Sequence, residues 1–337
     1  MMMQSGLLGI FAITTPIFLI VAIGYVVVRL GFVPKEGVRA MAAFLVNVAV
    51  PALLFQAIGS RDLAAVLQSG FLLVYGGGSL IAFTTIFVVS TTQLGRRMTG
   101  GAIYGIGSGQ SNTLMIGFPI ASAMAGTAAV APFAMVLLIE NLLMLPLALI
   151  LADLGRDEDR RLGRIVARIA PALLKNPVIL GILLGVLVSL TGITVPPMLD
   201  QTLGYLSRTV TGLGLFVVGG MLVGFKYRGN LRDVTIVVLA KLLLHPGVIL
   251  LLFLVVPGVP QNMVVAGVVM AAAPMFGIYA AIGERYGLGP MAAAVLAPAT
   301  IFSYFSIGLM IFLTSIVWGG QGTPAQKAEA PTSLQVK

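Results

Sequence analysis

Apolar stretches of about 20 residues recur along almost the whole chain, and they constrain its fold more than any single motif. Hydrophobic residues make up 58% of the 337 positions and charged residues 9%, whereas a soluble domain is usually about 25% charged. Since a helical span needs roughly 20 apolar residues, the sequence predicts an all-α integral membrane protein with about ten spans in the lipid bilayer. The predicted spans are residues 7–30, 38–58, 70–93, 101–125, 128–151, 177–190, 199–225, 234–256, 261–283 and 291–318.

Basic residues are distributed unevenly between alternate loops. Fifteen of the 20 Lys and Arg residues fall on one side of the predicted spans, four fall on the other, and Lys241 lies within a span. Because Lys and Arg accumulate in cytoplasmic loops, we expect a multi-pass protein of the plasma (bacterial inner) membrane. Both termini are then outside, and the charged segment 153–175 is in the cytoplasm. The formal charge of +9 therefore indicates topology, and no nucleic-acid partner is expected.

The two ends of the chain differ in composition. The N-terminal apolar stretch has no basic region before it and runs on to Arg29, so we expect it to be the first span and not a cleaved leader. Residues 319–337 are rich in Gly, Pro and polar side chains, which predicts a disordered tail. Since the chain contains no Cys, disulfides, thiolate catalysis and iron–sulfur clusters are excluded. No cofactor or metal is expected.

An internal repeat is visible when residues 16–34 are compared with residues 177–196. In both segments a Gly follows the opening Pro by 8 residues, and a second Gly follows 7 residues later. Continuing the register sets VPALLFQAI (from Val50) beside VGGMLVGFK (from Val218) and SNTLMIG beside APMFGIY. Each unit holds five spans, and an odd number inverts the second copy, as in many secondary transporters. The predicted organisation is a first repeat 1–153, a cytoplasmic loop 154–176, a second repeat 177–318 and the tail 319–337. Chance recurrence of Gly and Pro in apolar sequence is the alternative.

Matched prolines interrupt the fourth and ninth predicted spans. Pro119 follows Gly117, and Pro274 precedes Gly277, so we expect both helices to break at these prolines. Irregular backbone at membrane depth is tolerated where it lines a cavity, and half-helix N-termini suit an anion such as a carboxylate. The alternative is that these prolines are ordinary and that nearby amides join one helix to the next. The side chains expected to bind the anion beside the first break are Gln110, Ser111, Asn112 and Thr113.

Three ionisable residues lie within predicted spans. Glu140 stands in the fifth span, and Lys241 and His245 stand four residues apart on one face of the eighth. Ionisable groups in membrane spans are expensive and point to function, so Glu140 or His245 is a candidate for exchanging a coupling proton. In the structural alternative Lys241 neutralises Glu140 or satisfies carbonyls at a helix end, and His245 only forms a hydrogen bond.

Four motifs resemble the auxin efflux carrier family over residues 7–313. They are VNVAVPALLF, SNTLMIGFP, KNPVILGILLG and AAAPMFGIYAAIGERYG. The resemblance implies a permease with ten helices in two inverted five-helix repeats, whose fourth and ninth helices are broken and cross. It also implies an anionic substrate at the crossover, beside the residues matched here by Asn112, Pro119 and Pro274. Bacterial members named malonate permeases share the short loop between the halves.

One departure from that family concerns the ninth helix. Many members read Pro-Thr-Gly-Val-Asn after the break, whereas this chain reads Pro274, Met275, Phe276, Gly277, Ile278. The second amide is missing, which predicts a more apolar second half of the site or a different specificity. The candidate substrate-binding residues are Gln110, Ser111, Asn112, Thr113, Pro119, Asn47, Pro51, Gly219, Pro274, Met275 and Gly277, and the coupling candidates are Glu140, Lys241 and His245.

Alternatives from other classes fit the sequence less well. Ser108 has a Gly on either side, but a rhomboid-type spacing needs Gly where Ile106 stands, and His245 is the sole His that a catalytic Ser has as a base. A channel needs a continuous pore lined by carbonyl or charged rings, for which the chain offers few residues. The sequence therefore predicts a secondary transporter of small organic anions, mono- or dicarboxylates such as malonate, that works by alternating access. A sodium-coupled symporter resembling the sodium–bile acid symporters is the runner-up. Proton, sodium or no coupling and homodimer formation are left open.

Overall fold

The computed structural model describes residues 2–59, 67–156, 162–224 and 230–318, and within these ranges the regular structure is helical. The predicted tail and the N-terminal residue lie outside them. The helices are α1 (Met2–Arg29), α2 (Lys35–Gly59), α3 (Ser69–Thr92), α4 (Met98–Gly109), α5 (113–125), α6 (130–154), α7 (Leu162–Leu174), α8 (Pro177–Thr191), α9 (Pro197–Met221), α10 (Leu231–Val255), α11 (Gln261–Ala272), α12 (Tyr279–Arg285) and α13 (Gly289–Trp318).

Several of these helices are long and apolar enough to cross a bilayer. Within the described ranges six stretches meet that condition, and one of them runs through α4, α5 and α6 as residues Met98–Leu154. Helices α8 and α11 are shorter apolar helices. Large side chains such as Leu187 and Leu190 on α8 are more than half exposed, as expected for a surface that faces lipid. The chain is a multi-pass membrane protein, and the count of ten spans stays a prediction.

Apart from α7, the helices pack as two groups. In the first bundle (α1, α2, α8 and α9), α1 lies along α9 and α8 lies along α2. The contacts are so close that a Cβ on Gly219 would stand 1.8 Å from Val21 O, and one on Gly181 would stand 2.7 Å from Pro51 Cα. Only Gly therefore lets these backbones approach. The second bundle comprises α3 to α6 and α10 to α13.

A polar contact joins distant parts of the second bundle. Arg96, just before α4, forms a salt bridge of 2.5 Å with the buried Asp233 on α10. Tyr104 on α4 donates a second hydrogen bond of 2.7 Å to the same carboxylate. A buried carboxylate needs such partners because burial removes its hydration. The contact therefore ties the two halves of the chain together within one bundle.

In the part of the chain that the structure describes, four helices contain a single π-helical turn, and each turn lies just before a proline. The turns are Leu45–Ala49, Thr113–Gly117, Ile139–Met144 and Ala240–Leu244, and the prolines two residues beyond them are Pro51, Pro119, Pro146 and Pro246. Proline lacks an N–H and its ring clashes with the carbonyl four residues earlier. A π turn widens the helix at that point, so that His245 N, for example, bonds Ala240 O five residues back. The helix then continues past the proline without a sharp break.

The first interruption therefore differs from the prediction. The helix does not break at Pro119, which lies in the first turn of the segment Phe118–Ala125, where proline is well tolerated. It breaks upstream, where Gln110 is extended (φ −125°, ψ 142°) and Asn112 is non-helical (φ −83°, ψ 59°). In the ninth predicted span Pro274 does lie in the interruption between α11 and α12. The segment 154–176, predicted as a loop, contains the helix α7.

Candidate functional site

The two interruptions touch each other through the main chain. Asn112 N donates a hydrogen bond of 2.6 Å to Pro274 O, and both residues are buried. We call residues 110–113 and 273–277 the crossover. Buried irregular backbone of this kind must satisfy its polar groups within the protein. Here each interruption supplies a partner for the other, which holds the two breaks at one place in the second bundle.

Asn112 is the N-cap of α5. Its Oδ1 accepts a hydrogen bond of 3.2 Å from Met115 N, and its carbonyl accepts bonds of 3.1 Å from Ile116 N and Gly117 N. The cap uses only the side-chain oxygen, and within the described ranges the amide N–H donors of Asn112 form no hydrogen bond, so they are candidates for contact with a ligand. With its 6% exposure and its place at a helix N-terminus, this amide suits a carboxylate.

The neighbours of Asn112 bind a carboxylate of the protein itself. Glu140 Oε1 on α6 accepts a hydrogen bond of 3.1 Å from Ser111 N and one of 2.6 Å from Thr113 Oγ1. Glu140 is 4% exposed, and it lies in the π turn of α6. Ser111 and Thr113 were candidate substrate ligands, but in this structure Ser111 N and Thr113 Oγ1 donate to Glu140, and Ser111 Oγ donates to Ala271 O at 3.4 Å. The side-chain amide donors of Asn112, by contrast, have no partner among the described residues.

Lys241 lies on the other side of Ser111. Its Nζ donates to Ser111 Oγ at 2.8 Å and to Ala271 O at 2.7 Å, and it lies 2.8 Å from His245 Nδ1. An ammonium group has three donors and no acceptor, so His245 Nδ1 accepts and the ring proton belongs on Nε2. From there it reaches Ser79 Oγ at 2.9 Å.

Ser111 therefore bridges the two opposite charges. Its N–H donates to Glu140, and its Oγ accepts from Lys241. In the described part of the chain Glu140 and Lys241 form no direct salt bridge. Lys241 also satisfies the carbonyl of Ala271 in the last turn of α11. A direct contact therefore supports the alternative in which Lys241 satisfies a helix-end carbonyl, whereas Lys241 is linked to Glu140 only through Ser111. A proton-exchanging role for Glu140 or His245 stays a prediction.

Gln110 has an unmatched acceptor. It caps the C-terminal end of α4 and is 5% exposed, yet within the described ranges its Oε1 has no hydrogen-bond partner. Leaving a buried acceptor unsatisfied costs about 1–3 kcal/mol. Gln110 is therefore a candidate for contact with a ligand or a bound water.

Three predicted site residues make their contacts away from the crossover. Asn47 is exposed and donates its Nδ2 to Ala43 O at 2.8 Å in its own helix. Pro51 and Gly219 lie at the close helix contacts of the first bundle. The structure thus brings the crossover residues together with Glu140, Lys241 and His245. The residues of the first bundle instead make contacts within or between the helices of that bundle.

A cavity of about 290 Å³ lies between the two bundles. Its lining includes the basic side chains of Lys35 and Arg39 on α2. Gly220 on α9 and Gly277, just before α12, also line it. Both basic residues are exposed. Gly277 connects this cavity to the crossover. The sequence assigned Lys35 and Arg39 to topology alone, although their spacing of four residues sets them on one helical face.

Comparison with known proteins decides the family. The sequence model described as "Membrane transport protein" matches residues 10–311. The chain belongs to this membrane transport protein family. The resemblance to the auxin efflux carriers drawn from the four motifs is thereby confirmed. A protein of Rhizobium meliloti (strain 1021) described as "Putative malonate transporter" is 24% identical over 306 residues, which are 90% of this chain and 95% of that protein. The family and this relative indicate a transporter and not an enzyme.

Proposed function

We propose that the chain is a secondary transporter that moves small organic anions, mono- or dicarboxylates such as malonate, by alternating access. Membership of the membrane transport protein family supports transport, and the description of the Rhizobium meliloti relative supports the substrate class. The observation that carries the proposal is the hydrogen bond between Asn112 N and Pro274 O. It sets a buried amide with open donors at the meeting point of two interrupted helices, which is where transporters of this general type bind substrate.

The ten-span inverted repeat is part of this proposal. If the repeats correspond as α1 with α8 and α2 with α9, the packing of α1 on α9 has its counterpart in the packing of α8 on α2. Glycines support the same correspondence, because a Cβ on Gly24 would stand 2.2 Å from Phe216 O and one on Gly185 would stand 3.1 Å from Phe55 O. The repeats then comprise residues 1–153 and 177–318, with a cytoplasmic segment 154–176 between them.

The proposed location is the plasma membrane with both termini outside. The uneven distribution of Lys and Arg supports this orientation. It assigns the cavity with Lys35 and Arg39 to the cytoplasmic side, where two cations attract an anion before it reaches the crossover.

Alternating access requires one part of the protein to move against another. The polar network at the crossover is contributed wholly by the second bundle, through Ser79, Ser111, Glu140, Lys241 and His245. We propose that this bundle moves as a unit against the first bundle. The cavity between the bundles then opens and closes, while the substrate keeps its contact with Asn112.

Uptake into proteoliposomes tests the proposal. Purified protein is assayed with a panel of mono- and dicarboxylates, each with no gradient or with an imposed proton or sodium gradient. We expect saturable uptake of at least one small carboxylate, and faster uptake when the same anion is preloaded inside. Trans-stimulation distinguishes a carrier from a channel. Uptake that does not saturate and does not respond to preloading would refute the proposal.

A further inference from the structure

The ammonium group of Lys241 is held in a complete shell of acceptors. Ser111 Oγ, Ala271 O and His245 Nδ1 lie 2.7–2.8 Å from Nζ, so all three donors of the ammonium have a partner. The side chain is 0% exposed. This lysine reaches from α10 to the end of α11 and to the segment before α5, and its charge is enclosed at the crossover.

The same shell has the chemistry of a site for a small monovalent cation. A hydroxyl oxygen and a main-chain carbonyl are hard oxygen ligands of the kind that alkali and alkaline-earth cations take. The carbonyl of Ala271 belongs to the last turn of α11, where the helix end carries partial negative charge. Beyond Ser111, the carboxylate of Glu140 supplies a full negative charge. Carbonyls at half-helix C-terminal ends are a general means of coordinating coupling ions in secondary transporters.

We propose that Lys241 is a tethered cation that occupies a monovalent-cation site at the crossover. The ammonium group does in this chain what a bound Na⁺ would otherwise do: it neutralises Glu140 and satisfies the end of α11. The carrier therefore needs no sodium ion to complete the crossover. The part of this inference that concerns coupling rests on the proposed transport function, whereas the cation site itself does not.

Removing the ammonium distinguishes a filled cation site from an ordinary buried lysine. In Lys241→Ala the side chain beyond Cβ is gone, the oxygen ligands stay, and Glu140 loses its compensating charge. A buried carboxylate without a compensating positive charge is strongly unfavourable, so a free cation is drawn into the space. Lys241→Met is the matched control, because it removes the same charge but fills the space with an unbranched chain of similar length.

Thermal unfolding in detergent reports whether sodium binds the folded protein. Wild type, Lys241→Ala and Lys241→Met are compared in NaCl and in choline chloride at equal ionic strength. Sodium is expected to raise the melting temperature of Lys241→Ala by about 2 °C or more, since a ligand that binds only the folded state stabilises it. For the wild type, and likewise for Lys241→Met, we expect the melting temperature in NaCl to equal that in choline chloride. Combining Lys241→Ala with Glu140→Gln should remove the response to sodium.

Two outcomes of this comparison would overturn the inference. One is a sodium response of the wild type, and the other is a Lys241→Ala protein that melts identically in the two salts. If Lys241→Ala does not purify as a folded protein, Lys241→Asn takes its place, because its amide oxygen adds a ligand while the shorter chain leaves room for the ion.

Uptake assays separate this inference from the proposed function. Wild-type carboxylate uptake should proceed at the same initial rate with inward sodium as with inward choline, whereas uptake by Lys241→Ala should rise several-fold with inward sodium. If the wild type carries no carboxylate at all, the proposed function fails and the melting comparison still decides the cation site. If wild-type uptake requires sodium, the tethered-cation inference fails and the proposed function stands.

Discussion

Asn112 N donates a hydrogen bond of 2.6 Å to Pro274 O, so the two interrupted helices meet main chain to main chain. This contact uses the backbone of Asn112, and its Oδ1 caps Met115 N. The side-chain amide donors are therefore separable from both structural roles. A substitution that keeps the cap but removes those donors tests the binding site without dismantling the crossover.

Asn112→Asp is such a substitution. A carboxylate oxygen still accepts from Met115 N, and Asp is as good an N-cap as Asn, but the N–H donors are gone and a negative charge repels an anion. We expect carboxylate uptake to fall at least tenfold while the melting temperature changes little. Asn112→Ala should also weaken or abolish uptake, and it should lose about 1 kcal/mol of stability with the cap. Unchanged uptake kinetics in both variants would remove Asn112 from the site.

The cavity between the bundles gives a second prediction. Lys35→Gln and Arg39→Gln each remove one positive charge from its lining. A charge in water-exposed surroundings contributes about 1 kcal/mol at close range, so each change should raise the apparent KM for a dicarboxylate about fivefold when the anion is supplied on that side. High salt should shrink the difference, because it screens exposed charges.

Arg232→Gln is the control for these two variants. Arg232 is exposed and belongs to the same predicted side of the membrane, but it is not part of the cavity lining. We expect the KM of Arg232→Gln for the dicarboxylate to equal that of the wild type. A rise in KM that is the same for all three substitutions would indicate a general effect of surface charge and not a role of the cavity.

The apolar stretches and the matched prolines predicted much of this fold from the sequence, because both act locally. Residues 70–93 and 291–318 were predicted as spans, and α3 and α13 occupy Ser69–Thr92 and Gly289–Trp318. Pro119 did predict irregular backbone. The π turn before it, however, lets the helix continue through the proline, and the break lies upstream at Gln110. The sequence carries no signal that separates these two outcomes.

The sequence offered Glu140 and helix-end carbonyls as partners of Lys241, but the residues that connect the ionisable groups were beyond prediction. Glu140 and Lys241 are 101 positions apart, and Ser111, which bridges them, was predicted as a substrate ligand and not as a link between the two charges. Only the folded second bundle brings the three together. Ser79, which contacts His245, was missed for the same reason. The place of Lys35 and Arg39 in the cavity lining was missed because basic residues between spans are already accounted for by membrane topology.

The π turn before Pro246 gives a third prediction. Pro246 has no N–H for the carbonyl of Leu242, four residues earlier, and Ser306 Oγ on α13 donates to that carbonyl instead. Ser306→Ala should therefore destabilise the protein by about 1–3 kcal/mol, because it leaves a buried carbonyl unpaired. Ser303→Ala is the control, since Ser303 Oγ bonds Thr300 O within its own helix.

A double-mutant cycle sharpens this test. In Pro246→Ala the new N–H of residue 246 can donate a hydrogen bond to the Leu242 carbonyl. The further change Ser306→Ala should therefore lower the stability clearly less than it does in the wild type. The measured quantity is the coupling between the two changes in melting temperature. Equal costs in the two backgrounds would mean that Ser306 does not substitute for the N–H that proline lacks.

Close packing of the first bundle gives the last prediction. A Cβ on Gly219 would stand 1.8 Å from Val21 O, which is main chain and has no flexible end that can move aside. Gly219→Ala should therefore force α1 and α9 apart, and we expect a large loss of folded, monodisperse protein in detergent. Gly212→Ala, on the same helix, is the matched control because its Cβ meets nothing within 4 Å, and exchanging Gly for Ala within a helix is otherwise stabilising by roughly 0.5–1 kcal/mol. Normal yield and stability of Gly219→Ala would mean that the two helices do not pack as closely as their glycines require.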